Sequence, residues 1–134
     1  MRLRPHHIYC FYFMDFSDPS RGRDYEEAVR KVESLFKAGK GNIEVQEGPD
    51  FLCEACPYFN GQACSHPRGD EKEVKKWDMQ ILKGLGLEFG EVVKIEALRT
   101  LIKEKTPLNF CLTKCSYYQG NRCNSKDFRT PQMN

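Results

Sequence analysis

Two nine-residue stretches of this chain share one skeleton. The first reads Cys56-Pro-Tyr-Phe-Asn-Gly-Gln-Ala-Cys64 and the second Cys115-Ser-Tyr-Tyr-Gln-Gly-Asn-Arg-Cys123. Cysteine, tyrosine, glycine and cysteine recur at the same offsets, and Phe59 matches Tyr118, Asn60 matches Gln119 and Gln62 matches Asn121. A further cysteine precedes each unit: Cys53 makes C-x2-C with Cys56, and Cys111 makes C-x3-C with Cys115. Two cysteines three or four positions apart on a turn can aim both thiolates at one ion or one cluster edge. Gly61 and Gly120 permit a tight loop that brings back a third thiolate, and nearby backbone amides can hydrogen-bond the sulfurs. Six of the seven cysteines thus fall in two copies of a three-thiolate unit, with half-sites at 53–66 and 111–123.

The rest of the chain can fold around such loops. With 134 residues, 40% hydrophobic and 30% charged, it reads as one globular domain spanning 1–134. A domain of this size buries about two-thirds of its unfolded surface, so metal is not its only source of stability. The net charge of +2 is too small a bias to imply nucleic acid or an anionic membrane. Arg2 and Arg4 before the apolar run Ile8 to Phe16 imitate a signal peptide. That run is short, carries Asp15 and lacks a small-residue cleavage site, so a cytoplasmic protein with no membrane span is expected. In a reducing compartment clustered cysteines favour metal over disulfides, and an odd count leaves one thiol over.

Hydrophobic spacing predicts a mainly α domain with a little β. Arg2 to Phe16 has strand or buried-helix character, and 17–23 is a loop. Asp24, with Glu27 closing a capping box, opens a helix whose face carries Tyr25, Ala28, Val29, Val32, Leu35 and Phe36, with Gly39 at its C-cap. Ile43 to Glu47 alternates like a short strand. A second capping box, Asp70 and Glu73, precedes the stripe Val74, Trp77, Ile81, Leu82 and Leu85. Gly84, Gly86 and Gly90 mark a turn. Ile95, Leu98, Leu101 and Ile102 form a third stripe, ended by Thr106-Pro107. The cysteine-rich metal-binding loops are expected between and after these helices, with a frayed polar tail.

Each triplet is one ligand short of a four-coordinate site. Cys10 is the leading candidate for the missing ligand, set against a role as a small core residue. His66, two residues after Cys64, and His7 are secondary candidates, with His6 as a further one. The expected metal set is therefore Cys10, Cys53, Cys56, Cys64, Cys111, Cys115 and Cys123, with His7 and His66 behind them. Zinc usually takes two two-residue knuckles, whereas three close thiolates plus a remote fourth suit an iron–sulfur cluster. Tyr58, Phe59, Tyr117, Tyr118 and the aromatics around Cys10 would shield such a cluster from water. Iron–sulfur is favoured, and zinc is the alternative.

Leu3-Arg4-Pro5-His6-His7 followed by Cys10, then Arg21-Gly22-Arg23-Asp24-Tyr25, Cys53-Glu54-Ala55-Cys56-Pro57, Leu85-Gly86-Leu87 and a terminal cysteine triplet resemble a small prokaryotic family. Its members are described as candidate iron–sulfur-binding proteins of unknown function, and the R-P-H-H-x-x-C start is the most specific element. The resemblance spans nearly the whole chain and implies a cluster, expected to be of the four-iron, four-sulfur type. It makes His6, His7, Cys10, Cys53, Cys56 and Cys64 motif positions. This chain departs from the pattern in its longer stretch from Phe11 to Ser20, and in a second unit that reads C-x3-C-S rather than C-x2-C-P.

The leading functional expectation is an iron–sulfur protein that transfers electrons or senses redox state with a redox partner protein. A structural zinc module for a protein or nucleic-acid partner is the alternative, with Arg2, Arg4, Lys114, Arg122, Lys126 and Arg129 as its basic face. A third reading is a cluster-dependent enzyme with an open iron, and His6 or His7 as its acid–base partner. No nucleophile–base signature or Gly-rich phosphate loop accompanies it, so the balance leans away from an enzyme.

Overall fold

The computed structural model describes residues 1–13, 16–66 and 69–105. Cys111, Cys115 and Cys123, the helix stop at Thr106-Pro107 and the polar tail lie outside the described residues.

The N-terminal segment is both of the things its sequence suggests. Arg2–Leu3 forms a short strand, β1, and Pro5–Cys10 a six-residue helix, α1. Between them Arg4 is extended at φ −77°, ψ 155°, because the ring of a following proline excludes the helical region. Pro5 then starts α1 at the position where a missing N–H does no harm.

A turn of 3₁₀ helix at Pro19–Arg21 leads into α2, Arg23–Ala38. The predicted capping box at Asp24 does not form. The helix begins two residues earlier, with Gly22 as N-cap at φ 96°, a conformation that Asp would adopt only under strain. Asp24 instead lies in the first turn, where its charge complements the helix dipole. The buried face is Tyr25, Ala28, Val29, Val32 and Phe36, and Gly39 closes the helix in the left-handed region as expected.

Strand β2, Asn42–Val45, pairs in parallel with β1 (Leu3 opposite Val45) and antiparallel with β5, Val92–Lys94. Helix α3, Phe51–Ala55, carries Cys53, so the first cysteine unit starts on a helix and not in a loop. Ser65–His66 (β3) and Gly69–Asp70 (β4) pair antiparallel and lead to α4, Glu71–Leu85. Asp70 caps α4 by accepting from the Glu73 N–H at 3.1 Å, as its sequence predicts. Gly84 is inside α4, and Gly86 is its left-handed C-cap. Helix α5, Ile95–Lys105, follows β5 directly.

One apolar core joins these elements. Ile8 and Tyr9 of α1, Phe11 to Phe13, the α2 face, Ile43 and Val45, Leu52, Ile81, Leu82 and Leu85, and Ile95, Leu98 and Ile102 are all buried in it. The architecture is mainly α with a small three-stranded sheet, as the hydrophobic periods predict. Among the described residues no helix is long and apolar enough to cross a membrane.

Candidate metal centre

The site grows from α1, a helix too short to be stable by itself. Its first N–H groups are satisfied by carboxylates from two distant elements. Asp50 Oδ2 accepts from the Arg4 N–H at 2.8 Å, and Asp78 Oδ1 from the His6 N–H at 3.0 Å. The same two oxygens hold the imidazoles: His7 Nδ1 lies 2.7 Å from Asp50 Oδ2, and His6 Nδ1 lies 2.8 Å from Asp78 Oδ1. Both rings are thereby fixed, and they meet at 4.2 Å between centroids. Asp50 Oδ1 also accepts from the N–H groups of Leu52 and Cys53, capping α3. One carboxylate therefore sets the position of His7 and of Cys53 together.

Arg4 is the hub. Its side chain is 0% exposed, with Nε 2.7 Å from Asp78 Oδ2 and Nη2 2.6 Å from Glu71 Oε2. Burying a guanidinium is tolerable only with charge partners of this kind. Burial alone would weaken its ionisation, but Glu71 and Asp78 reverse the shift and hold the proton more tightly than usual. Glu71 Oε1 accepts from Arg4 Nη1 at 3.2 Å and also from the Cys64 N–H at 3.1 Å. The hub thus reaches the far end of the cysteine hairpin.

That hairpin is shaped locally. Asn60 Oδ1 accepts from the N–H groups of Gln62 and Ala63, each at 2.9 Å, and Gly61 takes φ 98° at the tip. Only glycine adopts such a turn without strain. The Ser65 N–H bonds Tyr58 O at 2.8 Å, which returns the chain and delivers Cys64.

Two sulfurs of this first triplet face a guanidinium N–H donor. Arg4 Nη1 lies 3.6 Å from Cys53 Sγ, and Arg21 Nη1 lies 3.7 Å from Cys56 Sγ. The backbone N–H of His66 favours the thiolate form of Cys64. Arg21 is held by Asp18 at 3.1 Å and packs against the rings of Tyr25 and Tyr58, 5.1 and 5.3 Å from their centroids. Burial pushes the Cys53 thiol up to about 12, helped by the Asp50 charge and opposed by Arg4. Burial likewise raises Cys64. Burial also opposes ionisation of Asp50, yet the His7 ring and the backbone N–H groups hold it well below the usual carboxylate range.

Two chemistries use residues of these types. Cys53, His7 and Asp50 are the three residue types of a thiol-nucleophile triad, and a ring nitrogen, a carboxylate oxygen and Sγ lie within 4.8 Å of one another. A nucleophilic cysteine needs exposure and a lowered pKa. Cys53 is 8% exposed with its pKa raised. A metal ligand needs neither, because the ion itself displaces the proton. The arrangement suits a metal ion better than a nucleophile, with Asp50 holding both the His7 ring and the Cys53 backbone.

Of the residues expected from sequence, Cys10, Cys53, Cys56, Cys64, His6, His7 and His66 are described, and none of these four cysteines is in a disulfide. Cys10 is partly buried at the end of α1, one helical turn beyond His7, and packs at the edge of the core. His66 stacks edge-on against Tyr58 at 4.5 Å. Arg4 cannot serve a nucleic-acid-binding face, since it is wholly buried and paired; that expectation is corrected. Lys114, Arg122, Lys126 and Arg129, the rest of that face apart from Arg2, lie outside the described residues.

Sequence reasoning missed Arg4, Arg21, Asp50, Glu71 and Asp78. Two carried a readable signal. Asp78 interrupts the apolar stripe of α4 between Val74 and Leu82, at helical spacing from both, and is 2% exposed. A carboxylate on a buried face needs a cation, and Arg4 is that cation. Asp50 stands directly before Phe51, where an N-cap belongs.

Residues 22–121 match a protein family whose description is "Protein of unknown function (DUF1284)". The match takes in Cys53, Cys56, Cys64, Cys111 and Cys115, and begins after the Arg4-Pro5-His6-His7 start. No curated protein and no solved structure matches the chain.

Proposed function

The chain belongs to the DUF1284 family, and within it we propose a cysteine-ligated metal protein that carries an iron–sulfur cluster, of the four-iron, four-sulfur type, for electron transfer or redox sensing. One observation carries this reading: two sulfurs of the first triplet, those of Cys53 and Cys56, each face a guanidinium N–H. Thiolate-ligated clusters are anionic, and hydrogen bonds to their sulfurs stabilise them and tune their potential. Neutral buried thiols gain little from two such cations.

Cys53, Cys56 and Cys64 are the proposed core ligands, with Cys10 joining them from α1. Cys111, Cys115 and Cys123 are proposed as the second three-thiolate unit. The cluster, when bound, supplies a one-electron couple. Arg4 and Arg21 balance its charge, and Tyr25, Tyr58 and Phe59 limit water at the sulfurs.

Protein purified without oxygen is expected to contain iron and acid-labile sulfide in equal amounts and to bleach in the visible on reduction with dithionite. Stoichiometric zinc with no sulfide would sink the reading in favour of a zinc module. Arg21→Gln, which removes the donor at Cys56 without touching the buried hub, is expected to lower the reduction midpoint potential. An unchanged midpoint would count against the charge argument.

A further inference from the structure

We propose that His7 is itself a metal ligand, binding through Nε2 at the same metal atom as Cys53, so that the centre is a mixed imidazole–thiolate site. The proposal rests on the cluster reading above and names one more of its ligands. Its basis is the group formed by a His7 ring nitrogen, Cys53 Sγ and an Asp50 oxygen, mutually within 4.8 Å. This is the one three-donor group at single-ion spacing among the described residues.

Within that group the roles are separable. Asp50 has no coordinating capacity to spare: Oδ2 already accepts from the Arg4 N–H and faces His7 Nδ1, and Oδ1 accepts from Leu52 and Cys53. An ionised carboxylate only accepts, so at 2.7 Å His7 Nδ1 carries the hydrogen and Nε2 keeps its lone pair. A carboxylate on one imidazole nitrogen, leaving the other for the metal, is the usual support of a ligating histidine. Here that carboxylate is 3% exposed and also fixes the backbone of Cys53. One residue thus positions both the His7 ring and the Cys53 backbone.

The other histidines fit this role less well. His6 has the same kind of support from Asp78 but belongs to no three-donor group with a sulfur. His66 lies at the hairpin, its ring edge-on to Tyr58 at 4.5 Å, and it too belongs to no three-donor group among the described residues. A neutral imidazole in place of a thiolate removes one negative charge from the ligand set, which raises the potential of a cluster.

The test uses the full chain, purified without oxygen after growth with ¹⁵N-histidine and reduced for pulsed EPR. A ¹⁵N hyperfine coupling of the size that a directly bound imidazole gives is expected. It should vanish in His7→Gln and persist in His6→Gln and His66→Gln. His7→Cys, which returns a ligand, is expected to restore iron and sulfide content without the coupling, and to move the midpoint potential to more negative values. Iron and sulfide with no imidazole coupling in the wild-type protein would overturn the ligand assignment and leave the cluster reading standing. A coupling lost in His6→Gln or His66→Gln and kept in His7→Gln would overturn it as well. Absence of iron and sulfide would remove the cluster reading and this proposal together. If His7→Gln fails to fold, persistence of the coupling in both His6→Gln and His66→Gln still assigns it to His7, since the chain has three histidines.

Discussion

Asp78 shows how one residue can control a site it never touches. Its two oxygens hold the His6 ring, the His6 N–H and the Arg4 guanidinium. Asp78→Asn would leave Arg4, 0% exposed, with only Glu71 as a charge partner. Breaking a buried pair in this way costs about 3–5 kcal/mol, to be read from urea unfolding of the metal-free protein. Arg4→Met combined with Asp78→Leu should lose clearly less than the sum of its single variants; strict additivity would show that the pair is not coupled. The acid response follows from the same residues. Asp50 and Asp78 titrate below the usual carboxylate range, so their contribution is complete above about pH 4, the unfolded value, and vanishes as pH falls through their folded values. Burial, His7 and Arg4 hold His6 below its ordinary value against the pull of Asp78. Its contribution is complete above roughly pH 6.5 and erodes as pH falls below that. The urea midpoint of metal-free protein should be level above pH 7, decline between roughly 6.5 and 4, and fall more steeply below. His6→Gln should flatten only the upper limb, and a midpoint that rises on acidification would contradict both assignments.

Among the elements, the long helices and the four-residue β2 were legible and several of the shortest pieces were not, for a physical reason. α2, α4 and α5 each repeat an apolar residue over several turns, so their 3.6-residue period stands out in the sequence. β1 and β5 have two and three residues, too few for a period of two to declare itself. α3 has five, which is why Cys53 reads as part of a loop. Such an element depends on its cap and its neighbours and not on propensity. The two aspartate caps make a direct comparison. Asp70 is exposed and serves one N–H, so Asp70→Ala should cost about 1 kcal/mol. Asp50 is buried and serves Leu52, Cys53, Arg4 and His7. Its loss leaves several buried donors unmet at roughly 1–3 kcal/mol each, so Asp50→Ala should cost at least twice as much as Asp70→Ala in the same denaturation experiment. Equal losses would mean that Asp50 is only a cap.

At the scale of the whole molecule, the repeat marked out candidate ligands but not the network that surrounds the first triplet. That depends on long-range pairings a linear pattern does not encode: Arg4 with Glu71 and Asp78, His7 with Asp50, Arg21 with Cys56. The thiols sit at the edge of this network, while the apolar core runs through α1, α2, β2, α4 and α5 without drawing on Cys56 or Cys64 as buried members. Metal and fold should therefore be separable, unlike a small zinc finger, which unfolds when its ion is removed. Stripping metal anaerobically with a chelator is expected to leave the far-UV circular dichroism and a single cooperative melt in place. The melting temperature should drop, because a ligand bound only by the folded state stabilises it. Amide exchange should quicken selectively across 51–66, where the hairpin bonds Ser65 to Tyr58 and Asn60 to Ala63 lie, while Val29, Val32, Leu82 and Leu98 stay protected. A global loss of protection on metal removal would instead make the site a structural staple for the whole domain. Selective loosening is what a redox centre mounted on an independent core should give.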